Sequence, residues 1–124
     1  MPTIAVLGAS SNRQKFGNKC VRAYAHAGYQ VFPINPTEKE IEGFPVFAKL
    51  ADVPQALDRI SVYLPPPVTF DYLDEIEAAK AGEVWLNPGA YDAKVLEEAR
   101  RRGIPIRPGC SIVDIELSPA MFGA

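Results

Sequence analysis

The sequence predicts an α/β fold, a doubly wound parallel sheet of about five to six strands in a single domain. Three observations carry that expectation. Short runs of β-branched and aliphatic residues alternate with stretches of three- and four-residue apolar spacing. The runs are continuously apolar rather than alternating, as in strands covered on both faces. They end at a glycine, an Asn-Pro or a Pro-Pro step, which stops a strand and turns the chain.

Each element follows in order. Thr3 to Leu7 is the first strand and ends at Gly8. A helix runs from about Gly17 to Ala27, with Phe16, Cys20, Ala23 or Tyr24, and Ala27 recurring on one face, and Gly28 standing where a left-handed C-cap belongs. Residues 29–35, YQVFPIN, form a second strand closed by Asn35-Pro36. Residues 43–47, GFPVF, suit a brief third strand, and Leu50 to Leu57 a short helical turn around Pro54. Ile60 to Leu64 is a fourth strand, stopped by Pro65-Pro66-Pro67. Tyr72 or Leu73, Ile76 and Ala79 then mark a helix that Gly82 ends. Glu83 to Leu86 is a strand closed by Asn87-Pro88-Gly89. Asp92 N-caps the next helix, in which Val95, Leu96 and Ala99 face the core while Glu97, Glu98 and Arg100 to Arg102 face water, and Gly103 ends it. Ile104 to Arg107 is the last strand. The tail holds Ile112, Val113, Ile115, Leu117, Met121 and Phe122, enough apolar surface to pack back onto the sheet or against a second copy.

Composition narrows the function classes. The chain has 124 residues, 48% hydrophobic and 23% charged, which suits one hydrophobic core. No apolar run approaches the roughly 18 residues of a membrane span, and no basic-then-apolar leader opens the chain, which points to the cytosol. Cys20 and Cys110 lack any CxxC or Cys/His spacing, so neither a disulfide framework nor a zinc site is expected, and both are read as reduced thiols. The net charge of -2 conceals an asymmetry. Residues 1–37 contain no acid but carry Arg13, Lys15, Lys19 and Arg22, a charge of +4; the remainder, with 9 basic and 15 acidic residues, is -6. A basic footprint confined to one loop and one helical turn cannot neutralise a nucleic-acid backbone, whereas it suits a compact anion.

The site follows from the topology. In doubly wound sheets the ligand crevice lies beyond the carboxyl ends of the strands where the winding reverses, here between the first and fourth strands. The turns Gly8 to Gly17, Asn35-Pro36, Leu64 to Val68 and Asn87 to Gly89 all fall on that edge. Gly8 permits a sharp turn, Ser10 and Ser11 offer hydroxyls, the helix start offers backbone N–H groups, and Arg13 and Lys15 reach over them. The same features also fit a serine-rich loop that merely caps the helix. A nicotinamide dinucleotide is disfavoured. Gly8 is followed by Ala9, Ser10 and Ser11 rather than G-x-G-x-x-G, and no carboxylate follows the second strand before Glu38.

These residues together resemble a known family. GAS at 8–10 with Lys15 and Gly17, PINP at 33–36, Ile41-Glu42-Gly43, VYLPPP at 62–67, VWLNPG at 84–89 and Gly109-Cys110 match, in order, the small stand-alone CoA-binding domain proteins. These are similar to the N-terminal domain of the succinyl-CoA synthetase α subunit. The resemblance covers nearly the whole chain and implies a Rossmann-like fold with coenzyme A, or an acyl-CoA, as its nucleotide ligand. It places Ala9, Ser10, Ser11, Arg13, Lys15, Phe16 and Gly17 with Gly8 at the phosphates, and Asn35, Pro36 and Lys39 along the adenosine or its ribose phosphate. It gives Leu64, Pro65 and Pro66 an apolar wall and counts Asn87, Gly89 and Cys110 among the ligand-binding residues. Many members carry a glutamine after the tryptophan strand where this chain has Asn87-Pro88-Gly89. The three prolines read either as a preformed wall or as a helix start set by Pro67, and the two are compatible.

No complete catalytic constellation is present, which favours binding over catalysis. His26, the single histidine, lies on the first helix, and GASSN is not a nucleophile elbow. Asp71, Asp74, Glu75 and Glu77 suit the solvent face of a helix. Cys110 has two readings, a thiolate at a helix start able to exchange with the thiol of CoA, or a buried apolar packing group. The synthetase histidine and nucleotide-binding parts lie outside the resembling domain, so residues 1–124 imply a carrier, a sensor or a subunit lending its site to a partner. An NAD(P)-binding redox sensor or oxidoreductase fragment, and a ligand-free interaction domain, are the alternatives. A homodimer or a partner subunit is compatible with all of them.

Overall fold

The computed structural model describes residues 1–123. Five parallel strands form one sheet: β1 (Thr3–Leu7), β2 (Gln30–Ile34), β5 (Arg59–Val62), β6 (Glu83–Leu86) and β7 (Ile106–Pro108), in the order β2-β1-β5-β6-β7. A small antiparallel hairpin, β3 (Glu40–Ile41) and β4 (Phe44–Pro45), stands apart. Helices α1 (Phe16–His26) and α5 (Ser111–Asp114) cover one face, and α2 (Pro66–Asp71), α3 (Leu73–Ala79) and α4 (Ala93–Arg101) cover the other. No described helix is long and apolar enough to cross a membrane.

Two-sided coverage explains why β1 lacks alternation. Ile4 and Val6 pack with Val21 and Tyr24 of α1, while Ala5 and Leu7 join Ile60, Val62, Leu73 and Ile76 on the opposite side. All five β1 residues are buried, so each position must be apolar or paired. Thr3 is paired, its hydroxyl donating to the Ala56 carbonyl at 2.7 Å.

Four sequence expectations need correction. The α1 core face is Gly17, Cys20, Val21, Ala23 and Tyr24, whereas Phe16 is 58% exposed and Ala27 is exposed. Phe16 begins the helix beyond the sheet edge, where no core lies beneath it. Residues 43–47 do not add a strand to the main sheet; Phe44 and Pro45 pair back onto Glu40 and Ile41 across a turn at Glu42-Gly43, and only Phe47 bridges Ile34. The helix after the prolines starts at Pro66 and breaks at Tyr72. Its end is set by Lys80 in the left-handed conformation (φ 51), not by Gly82. Gly82 serves a close approach instead, since a Cβ there would stand 3.0 Å from the Asp58 carbonyl oxygen. Asp92 does cap α4, accepting from the Val95 N–H at 3.0 Å.

The tail packs back onto the molecule. Ile112 is fully buried, Ile115, Leu117 and Phe122 pack against the α1 face, and Arg22 of α1 donates to the Phe122 and Gly123 carbonyls at 2.9 Å each. Val113 and Met121 remain exposed.

Candidate functional site

A cavity of about 910 Å³ opens at the carboxyl ends of β1, β2, β5 and β6, where the winding reverses between β1 and β5. Its floor depends on two glycines. Gly8 has φ +92, and a Cβ there would lie 2.5 Å from the Tyr63 carbonyl oxygen. Gly17 is helical, but a Cβ would lie 2.3 Å from the Gly8 carbonyl oxygen. The pair therefore lets the start of α1 press directly onto the turn that leaves β1, leaving no room for a side chain in between.

That contact aims the helix terminus at the cavity. No side chain caps α1 at Lys15, and its first turn carries no acid. The unpaired N–H groups of such a terminus and its partial positive charge favour an anion. Lys15, Phe16 and Gly17 line the wall here, together with Gly8, Ala9 and Ser10 of the turn.

The β2 side is held by Asn35. Its Oδ1 accepts from the N–H groups of Thr37 and Glu38 at 2.9 Å each, and its Nδ2 donates to the Ala9 carbonyl at 2.9 Å. One side chain thus ties the Asn-Pro turn to the glycine turn. Asn35 and Pro36 line the cavity, with Glu38 beside them. Opposite, Leu64, Pro65 and Pro66 form an apolar wall extended by Tyr63 and Tyr72. Gly89, at φ +89, brings Pro88 and Ala90 to the same rim.

The structure thus gathers Gly8, Ala9, Ser10, Lys15, Phe16, Gly17, Asn35, Pro36, Leu64, Pro65, Pro66 and Gly89 around one space. It places Ser11, Arg13, Lys39, Asn87 and Cys110 outside that wall. Ser11 is exposed and gives its backbone N–H to Glu38 at 3.1 Å. Arg13 pairs with Glu42 at 3.3 Å, and Lys39 is exposed. Asn87 is buried beneath the rim. Its Nδ2 donates to Ser61 Oγ and to the Val62 carbonyl, and its Oδ1 accepts from the Ser111 N–H, all at 2.9 Å. Cys110 is the N-cap position of α5 and packs against the α1-side core.

Gln14, Glu38, Tyr63 and Tyr72 belong to the wall without having been anticipated. Tyr63 was within reach of the sequence, inside VYLPPP; Glu38 depended on the side-chain turn at Asn35, and Tyr72 on the break in the helix. Behind the floor lies a buried polar group of Cys20, Ser61 and Ser111, with the two serine oxygens 2.7 Å apart. Burial pushes the Cys20 thiol up to about 11 and raises the Tyr63 phenol, whose hydroxyl is buried with no hydrogen-bond partner among the described residues. A thiol and a phenol are neutral near pH 7 even at their ordinary values, and burial holds both so further into the alkaline range.

Known proteins share this fold. A structure from Thermus thermophilus, cell-free ID.343, superposes with TM-score 0.85 at 31% identity, covering 93% of this chain and 88% of that one. The dinucleotide-forming acetyl-coenzyme A synthetase 1 of Ca. Korarchaeum cryptofilum, in complex with phosphate and ADP, superposes with TM-score 0.73 at 25% identity, over 84% of this chain but 25% of that one. The ADP-forming acetate–CoA ligase I of Archaeoglobus fulgidus is 26% identical over 118 residues, 86% of this chain and 17% of the ligase. The chain thus spans about a sixth of that enzyme's length. Residues 2–116 match the family described as the CoA binding domain, and with its parallel sheet and switch-point cavity the chain belongs to that family.

Proposed function

We propose that the chain binds coenzyme A or an acyl-CoA in this cavity, as a non-catalytic carrier or sensor or as a subunit lending its site to a partner. The observation that carries the reading is the uncapped, acid-free start of α1, pressed by Gly8 and Gly17 into the mouth of the cavity with Lys15 above it. That arrangement suits a diphosphate. The apolar wall of Leu64, Pro65 and Pro66 suits the pantetheine arm, and its two prolines lose little freedom when the arm settles on it. Ser10, Lys15, Phe16 and Gly17 are the proposed phosphate contacts, with Asn35 and Pro36 at the adenosine. Ser11, Arg13, Lys39, Asn87 and Cys110 lie outside the wall.

Glu38 favours a second reading, a nicotinamide dinucleotide, because an acid after the second strand is what such a site uses for the ribose. Family membership and the absent G-x-G-x-x-G favour CoA. Thermal unfolding separates the two. CoA at a hundred times its dissociation constant adds about 2.7 kcal/mol, a rise of several degrees for a chain of this size. The expected result is a rise with CoA and dephospho-CoA and none with NADH or NADPH; a rise with a nicotinamide cofactor alone overturns the proposal.

A further inference from the structure

The loop between β1 and α1 is held from behind, by side chains that do not line the cavity. Two of its carbonyls are turned to them: Ser10 accepts from Asn18 Nδ2 and Arg13 from Arg22 Nη2, at 2.9 Å each. A carbonyl aimed at the α1 start instead would set its partial negative charge against an incoming anion. Asn18 and Arg22 stand one turn apart on α1 and are joined, Arg22 Nε donating to Asn18 Oδ1 at 2.7 Å. Asn18 is fully buried, and its amide also donates to Glu42 Oε2 at 3.1 Å, at the turn of the β3–β4 hairpin. Burial of that amide is sustained only because each of its groups is bonded.

Arg22 carries the support further, into the tail. Its Nη1 donates to the Gly123 carbonyl and its Nη2 to the Phe122 carbonyl, at 2.9 Å each, while the Phe122 ring packs on the α1-side core. All but one of the guanidinium N–H groups are thus engaged, by α1, by the loop and by the tail. A planar fork spans these three segments at once, which a single ammonium group does not.

We propose that Arg22 is a positioning residue for the anion site: it holds the Ser10–Arg13 loop in its ligand-accepting form and makes the docked tail part of that hold. Ligand binding and tail docking therefore strengthen one another, since coupling between two sites is reciprocal. This rests on the reading of the α1 start as the place of the ligand's phosphates.

Isothermal titration of CoA into the parent and into Arg22→Lys, well below both melting temperatures, is the first test. The lysine keeps the charge and loses the fork, and binding is expected to weaken about fivefold or more. A residue that only stabilised the fold would lower the melting temperature and leave this affinity unmoved, and one that acted only by its charge would be replaced by lysine. Affinity equal to the parent's therefore overturns the inference. Amide hydrogen exchange of the parent is the second test, and it needs no variant to fold. The Ala120 and Met121 amides donate within the tail, to Ser118, and neither residue lines the cavity. Saturating CoA is expected to slow exchange at both about fivefold. Tail exchange unmoved at saturation also overturns the inference, and either overturning result leaves CoA binding itself standing. A parent that takes up no CoA removes the CoA reading and the inference with it.

Discussion

Lys15 and Arg13 carry the same charge two positions apart but have different surroundings. Lys15 lines the cavity over the α1 start, while Arg13 is 51% exposed and paired with Glu42. One charge-assisted hydrogen bond to a shielded phosphate is worth about 1.5 to 3 kcal/mol, so Lys15→Ala should weaken CoA binding about tenfold or more by titration calorimetry. Its apo melting temperature should not move, because an exposed lysine contributes little to folding. Arg13→Ala should change affinity less than about threefold, an outcome the sequence, which set both residues over the phosphates, did not separate. Gly17→Ala belongs to the same scale. Its methyl would meet the Gly8 carbonyl oxygen at 2.3 Å, and backbone cannot swing aside as a side chain can. A loss of about 1 to 3 kcal/mol in urea unfolding is expected, with weakened CoA binding. Gly8 and Gly17 were both legible as turn residues, but nine positions of separation hid that they touch.

At the scale of elements, Asn87 is the joint. It ties β5, the end of β6 and the first N–H of α5 through three hydrogen bonds in a fully buried setting. Asn87→Ala would strand the Ser111 N–H and leave the Val62 carbonyl only its 3.4 Å bond from the backbone N–H of residue 87, and should cost about 1 to 3 kcal/mol in denaturant unfolding, the cost of one buried unsatisfied group. CoA affinity should change little once the variant is folded, because Asn87 lies beneath the rim and not in it. Strands β1, β2 and β5 were readable because burial on both faces writes continuous apolar runs, and α4 because Asp92 and Gly103 punctuate it with standard chemistry; β7, half-buried to exposed along its length, begins at Ile106 rather than at Ile104. The hairpin at Glu40 to Pro45 was readable only in part. It is two residues a strand, too short for any period, and its turn puts Glu42 at φ 51, where a glycine would have announced it. The break at Tyr72 was hidden for a related reason. Apolar spacing of three or four continues through it, and the kink arises where Tyr72 N–H is shared between the Val68 and Thr69 carbonyls.

For the whole molecule, topology was legible and charge placement was not. Right-handed βα alternation fixes where the winding reverses, and so the cavity's place, before any side chain is known. The acid-free first 37 residues announced an anion site, yet Glu38 and Glu42 fold back onto its loop and engage Ser11 and Arg13. Stability should also report the buried polar group. Cys20 is held up to about 11 by burial, against 9.0 for a free thiol, so the unfolded chain releases that proton from about pH 9 while the folded one keeps it. Stability should therefore fall as pH rises from 9 to 11, and Cys20→Ala should flatten that decline in urea titrations. The central claim is that an anionic ligand settles on the start of α1, and amide chemical-shift mapping of the 13.5 kDa chain during a CoA titration tests it most directly. The account predicts the largest shifts at Ser10, Phe16 and Gly17, with smaller ones at Asn35 and Leu64. Saturation with those three amides unmoved, and shifts gathered on β7 and α5 instead, would contradict it.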